Sequence, residues 1–293
     1  MSSLKFNIEK KHEGIKLSDY LKDEAGLSSR LIRKSLREQR VIVNREAKRA
    51  RYILQEGDEL IVKMGSGETQ DIAPENISID VVYEDEDILV VNKPPFMVVH
   101  PTRSHQSGTL ANAVTYYFRN RGDDTIIRLV NRLDRDTSGL VVIAKSQYAH
   151  MAMAKKMISD SIEKTYIAIV EGEFEGEGTI DAPIGRPSED SLMRCVMEDG
   201  QRAITHYKVL ASNKDMSAVR VILETGRTHQ IRVHMKHMGH TIIGDTLYGS
   251  ESDVIGRQAL HAYKLKFNTI RDNNPLELVA NLPGDLETLV KHI

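Results

Sequence analysis

Two stretches of this sequence hold residues whose types and spacing can do chemistry. The first is Asn131-Arg132-Leu133-Asp134-Arg135-Asp136-Thr137-Ser138-Gly139. Asp134 stands between two arginines, and a nearby cation favours the ionised form of a carboxylate. A carboxylate held charged can serve as a nucleophile, a base or an electrostatic partner. The second stretch is Thr225-Gly-Arg227-Thr-His229-Gln-Ile-Arg232-Val-His234-Met-Lys236-His237-Met-Gly-His240. Histidines at such spacings can share a helix face and hold a metal. However, Arg227, Arg232 and Lys236 interleave with them, and residues 225–241 contain no Asp or Glu. An anion is therefore expected here rather than a metal. A helix beginning near Thr228, with Arg227, His229 and Arg232 at its start, would receive a phosphate or a carboxylate.

Segments that can position these stretches are legible from periodicity. The β-prone segments 125–130 and 140–144 flank the Asp134 loop. Leu110, Ala113, Val114, Tyr117 and Phe118 recur at helical spacing. Residues 146–160 read as a further helix, and 163–172 as a strand carrying Tyr166. Residues 172–186 read as an acidic loop region, 205–210 and 218–223 as paired strands, 260–267 as a strand and 286–293 as a helix. Strands outnumber helices and connections are short. The expected class is α+β, a mainly antiparallel mixed sheet with helices packed on it, preceded by a small α/β domain.

That N-terminal part has its own character. Residues 16–23 predict a short helix. Ser28 or Ser29 can cap a second helix running to about Arg40, with Leu31, Ile32 and Leu36 inward. Residues 30–51 contain nine basic and two acidic side chains, in a chain whose formal net charge is −2. Such a local excess attracts phosphate backbones. Arg30, Arg33, Arg37, Lys48 and Arg49 are the candidate contacts. Gly, Ser, Glu, Thr and Pro dominate after residue 64, which divides the chain into 1–68, a linker at 69–80, and 81–293. A single cysteine, Cys195, excludes a disulfide framework and suits the cytoplasm. No apolar run approaches the roughly 20 residues that span a bilayer, and the N-terminus lacks an apolar signal core.

Two family resemblances touch the Asp134 loop. Asp134-Arg-Asp136-Thr137 resembles the start of the haloacid-dehalogenase phosphatase motif. In this chain the threonine falls one place early, and the chain lacks that family's alternation of strand and helix. The second resemblance joins distant pieces: Asn92-Lys93-Pro94, His100-Pro101, Arg132-Leu-Asp134-x-x-Thr-Ser-Gly139, Lys164-x-Tyr166-x-Ala168, Gly226-Arg-Thr-His-Gln-Ile-Arg232-Val-His234, Gly244-Asp-x-x-Tyr-Gly249 and Leu260-His-Ala262. In order and content these resemble the RluA/RluD-type pseudouridine synthases, across about residues 81–267. Residues 15–63 are similar to the small RNA-binding domain named after ribosomal protein S-four. One departure is Asn131, where the family often has His.

The resemblance implies isomerisation of uridine within RNA. The bond from uracil nitrogen to the ribose 1′ carbon breaks, and carbon 5 of the base joins that sugar carbon. No atoms are gained or lost, so no cofactor or metal is implied. Asp134 matches the family's catalytic aspartate, Arg232 its basic partner and Tyr166 its active-site tyrosine. A base inside a helix must be flipped out to react, and Arg132 is the residue expected to guard the gap. Lys93, Arg227 and His229 are expected at phosphates. The implied partner is RNA, with large-subunit ribosomal RNA favoured over transfer RNA. The reading from a different class is a non-catalytic RNA-binding or ribosome-assembly factor; such a protein would have no physical need for Asp134, Tyr166 and Arg232 together.

Overall fold

The apolar runs Ile88-Leu-Val-Val91 and Leu140-Val-Val-Ile143 pair antiparallel toward one end of the larger sheet, inside its edge strand Asp80–Glu84. Both runs are buried on both faces, which is why they read as continuous apolar sequence rather than as an alternating pattern. Leu89, Val91, Val141 and Ile143 pack under the helix Leu110–Arg119, through Leu110, Val114 and Phe118. Ile88, Val90, Leu140 and Val142 face the other way, onto Met153 of the helix Gln147–Ile158 and onto Phe267 and Leu278. Burial contributes about 1.5–3 kcal/mol for each such aliphatic side chain. The structure is a computed structural model and describes residues 3–63, 70–102, 105–158 and 161–293.

The larger sheet has ten strands among the described residues. Across it run Glu177–Asp181, Ile204–Ser212, Met216–Leu223, Glu163–Glu171, Leu260–Asn268, Ser138–Ala144, Ile88–Lys93 and Asp80–Glu84, with Pro275–Val279 and Arg128–Leu129 paired at its side. The ladder between Ser138–Ala144 and Leu260–Asn268 is parallel; the others described in this sheet are antiparallel. This is the expected α+β arrangement. Ala262 pairs with Tyr166 on one side and Gly139 on the other. One row across the sheet therefore brings Tyr166 toward the end of the Asp134 loop. Gly139 is required at this crossing. Its φ is +113°, and a Cβ there would lie 2.3 Å from the carbonyl oxygen of Ala262.

The N-terminal part forms a separate sheet in the order Ser3–Asn7, Glu59–Lys63, Val41–Val43, Glu46–Ala47. The helices Leu17–Asp23 and Ser29–Arg37 close a core that includes Leu4, Leu17, Leu21, Leu31, Val41 and Leu60. Ser28 is the cap: its Oγ accepts the Leu31 N–H at 3.2 Å. The second helix stops short of Arg40. Gln39 takes a left-handed φ of 53°, and the Arg40 N–H turns back to the Ser35 carbonyl, so the chain leaves the helix there.

The segment predicted as a linker is more than a tether. Its first residue, 69, lies outside the described residues. From residue 70 onward it packs on the larger domain: Gln70 exchanges two hydrogen bonds with the backbone of Ile127, and Ile72 is buried beside Leu89 and Phe118. Asp80 already belongs to a strand. The β-prone segment 125–130 shrinks to Arg128–Leu129, and the supposed loop region 172–186 contains the strand Glu177–Asp181. The predicted helix over 146–160 is described as Gln147–Ile158, and residues 159–160 lie outside the description.

Candidate active site

Asp134 sits on a loop whose backbone is anchored at nearly every step. Asn131 accepts the Val142 N–H at 2.8 Å and donates to the Leu140 carbonyl at 3.2 Å, tying the start of the loop to the strand behind it. The Thr137 N–H closes a turn on the Asp134 carbonyl. Lys93 donates to the carbonyl of Arg135 at 2.9 Å, and Arg257 to that of Asp136 at 3.1 Å. Gln258 donates to Thr137 Oγ1 at 3.0 Å, and Ser138 Oγ meets His261 Nδ1 at 2.9 Å. Thr137, Ser138, Gln258 and His261 are all buried.

The carboxylate meets the second stretch of the sequence. Arg232 Nη1 donates to Asp134 Oδ2 at 2.8 Å. Its other face is gripped by Asp245, with Nε to Oδ2 at 2.6 Å and Nη2 to Oδ1 at 2.7 Å. Asp245 is 0% exposed and Arg232 is buried, so this bidentate pair is largely withdrawn from water. Burial works against the Arg232 charge, but hydrogen bonds and charge from Asp245, and then Asp134, raise its pKa overall. The guanidinium stays charged and fixed in a geometry lysine cannot reproduce. The Asp134 side chain remains 31% exposed, open to an incoming molecule. The anion expected at this helix is thus the protein's own carboxylate.

His229 caps the helix Gln230–His237 with a left-handed φ of 58°, a strained choice for a residue with a Cβ. That backbone aims its Nε2 at Asp134 Oδ2, 3.7 Å away. Burial lowers the His229 pKa against the opposing charge of Asp134, leaving a neutral ring. Tyr248 Oη accepts the Arg194 N–H at 2.7 Å and lies 2.9 Å from His229 Nδ1. Nδ1 shares a hydrogen bond with Tyr248, and Nε2 faces Asp134. The Tyr248 ring also lies 4.9 Å from the Arg232 guanidinium carbon. His229 thus belongs to the surroundings of Asp134. His234 is buried, with its ring nitrogens on Thr205 and the Ala182 carbonyl.

Tyr166 is half-buried on the strand Glu163–Glu171. Burial and then the Asp134 charge push its hydroxyl up to about 12. At neutral pH the phenol keeps its proton, so it can donate a hydrogen bond or offer a ring face. Arg132 is exposed, and so is Arg227, whose Nε donates to the Arg202 carbonyl. In the N-terminal domain Arg30, Arg33, Arg37 and Arg49 are exposed, whereas Lys48 is held by Glu46 at 2.6 Å.

Lys93 corrects an expectation. It is 0% exposed, and its ammonium donates to the carbonyls of Pro94, Met97 and Arg135 at 2.8–2.9 Å. No donor is left for a phosphate. Burial lowers its pKa to about 7. Its place is structural, joining the turn after its strand to the Asp134 loop. Sequence reasoning also assigns no role to Asp245, Tyr248, Arg257 or His261. The motif Gly244-Asp-x-x-Tyr-Gly249 is the signal available for the first two.

His261 adds a pH dependence to stability. The Ala280 carbonyl can only accept, so Nε2 carries the proton and Nδ1 accepts from Ser138 Oγ. Burial lowers the ring to about 4. Between pH 6.5 and 4 the unfolded chain takes up a proton that the native state refuses, so stability falls as pH falls through that window. The expected loss is about 3 kcal/mol. Thermal melts between pH 7 and 4 should show this slope and should show it flattened in His261→Gln. An equal slope in the variant would assign it to other groups.

Residues 87–237 match the family model described as RNA pseudouridylate synthase. The solved structure of human RNA pseudouridylate synthase domain containing 1 is similar, with a TM-score of 0.59 at 27% identity, covering 74% of this chain and 95% of the human one. The fold is thus that of a pseudouridine synthase. The uncharacterized RNA pseudouridine synthase YhcT of Bacillus subtilis is 37% identical over 98% of this chain and 96% of its own. Ribosomal large subunit pseudouridine synthase D of Pseudomonas aeruginosa is 36% identical over 85% of this chain and 82% of its own. The chain belongs to the RNA pseudouridine synthases of RluA/RluD type, isomerases that act on RNA. Among the described residues no helix is long and apolar enough to cross a membrane.

Proposed function

We propose that this synthase converts uridines of large-subunit ribosomal RNA to pseudouridine, with Asp134 as the catalytic carboxylate. The observation that carries the chemical half is the chain of contacts from Asp134 through Arg232 to buried Asp245, which aims a carboxylate that stays open to an incoming molecule. The ribosomal half is supported by the likeness to large-subunit synthases. Asp134 adds to the target nucleotide or stabilises charge as the glycosidic bond breaks. After the base turns and carbon 5 joins the sugar carbon, the carbon 5 proton leaves and the freed nitrogen takes one up. Tyr166 supplies a ring face and a hydroxyl that holds its proton. Arg132 occupies the gap left by the flipped base. Arg227 contacts phosphates near the site, and the exposed arginines 30, 33, 37 and 49 hold the RNA through the N-terminal domain. A cytoplasmic location goes with that substrate.

The test is a map of pseudouridines in cells with and without the gene. Discrete positions in large-subunit ribosomal RNA should lose the modification and regain it with the wild-type chain but not with Asp134→Asn. Losses confined to transfer RNA would replace the ribosomal assignment.

A further inference from the structure

We propose that Phe96 is a stacking platform for an unpaired base of the RNA substrate, beside the Asp134 site. Of the five phenylalanines, Phe96 alone is exposed, at 58%, and it is the one aromatic among the exposed large hydrophobic side chains of the described residues. It adds nothing to the cores described above. Its backbone is also unfavourable for its type. Pro94-Pro95-Phe96-Met97 places proline second and a positive φ, 63°, third. That is the pattern of a type II turn, whose third position favours glycine. A bulky residue is strained there, so the turn presents an aromatic ring where the backbone would prefer none.

The turn is rigid and close to the site. The buried Lys93 ammonium binds the carbonyls of Pro94 and Met97, which bracket Phe96, and also the carbonyl of Arg135, the residue after Asp134. Phe96 and Asp134 therefore stand one residue away from carbonyls that share a single ammonium. Arg132 and Arg135 on the facing loop are exposed. An exposed ring beside exposed guanidinium groups is the composition of a site for unstacked bases: the ring and the Arg132 guanidinium plane take base faces, and Arg135 takes the backbone. This inference rests on the RNA synthase activity of the family and not on which RNA is modified.

The chain has no tryptophan, so Phe96→Trp introduces a single reporter. Short single-stranded oligouridine RNA is the probe, titrated against wild type, Phe96→Ala, Phe96→Gly, Phe96→Tyr and Phe96→Trp. Saturable quenching of the Trp emission is expected, with a midpoint that matches RNA binding. Phe96→Ala and Phe96→Gly should weaken binding about tenfold, while Phe96→Tyr and Phe96→Trp stay within about twofold of wild type. Phe96→Gly should melt no lower than wild type, because glycine suits the turn. Unchanged affinity in Phe96→Ala, or emission that does not move at saturating RNA, would overturn the proposal. So would a lowered melting temperature in Phe96→Gly, which would make the ring a structural element. Binding and emission are read without turnover, so failure of the ribosomal assignment would leave this result intact.

Discussion

Asp134→Asn is expected to retain its fold and its affinity for RNA while losing pseudouridine formation by about four orders of magnitude or more. The substitution is isosteric. The amide oxygen can still accept from Arg232 Nη1, which lies 2.8 Å from the carboxylate. Arg232 also keeps both of its bonds to Asp245, so the buried guanidinium is not left unpaired. What disappears is the negative charge and the lone pairs of an ionised oxygen, which an amide cannot supply as nucleophile or base. Release of tritium from carbon 5 of labelled uridine reads the chemical step. Filter binding at two salt concentrations reads association separately, because binding is dominated by phosphate contacts elsewhere on the protein. Wild-type tritium release by the variant would remove Asp134 from the mechanism.

Strands buried on both faces are legible in the sequence because a short, continuous apolar run is what two covered faces require. Ile88–Lys93 and Ser138–Ala144 are of this kind. Ser3–Asn7 and Pro275–Val279 are not legible, because they lie beside a single partner strand and leave much of their length exposed, so their apolar signal is thin. Asp134, Tyr166 and Arg232 cannot be joined by spacing, since they lie on a loop, a strand and a helix far apart in the chain. Only the ordered set of motifs links them, and the register of Ala262 with both Gly139 and Tyr166 gives that link its geometry. Lys93 misleads for a physical reason: lysine is rarely buried. Nothing local announces that three backbone carbonyls will converge on its ammonium. Arg257 is similar, a fully buried side chain that ties Asp285 of the helix Gly284–Lys291 to the carbonyl of Asp136. Such braces follow from tertiary packing, and sequence periodicity carries no trace of them.

Asp245 is the clearest of these and the one whose loss reaches the chemistry. It touches no open part of the site, yet it orients Arg232, which in turn orients Asp134. Its Oδ1 also accepts the N–H groups of Leu247 and Tyr248, fixing the segment that carries the Tyr248 ring. In Asp245→Asn, the new NH2 group confronts an Arg232 N–H or a backbone N–H, and a buried cation keeps only the partly exposed Asp134 as its counter-charge. Breaking a buried pair from one side costs about 3–5 kcal/mol, so the melting temperature should drop clearly. Activity should fall about a hundredfold even at temperatures where the variant is fully folded, because a carboxylate displaced by about 1 Å loses that much. The loss should appear in single-turnover rate rather than in RNA affinity, since Asp245 is fully buried and its partners are Arg232 and the backbone of Leu247 and Tyr248. Circular dichroism defines the folded range, and tritium release within it measures the effect. A folded variant with wild-type turnover would show that Arg232 is held in place without Asp245, and that Asp134 is aimed by its own loop.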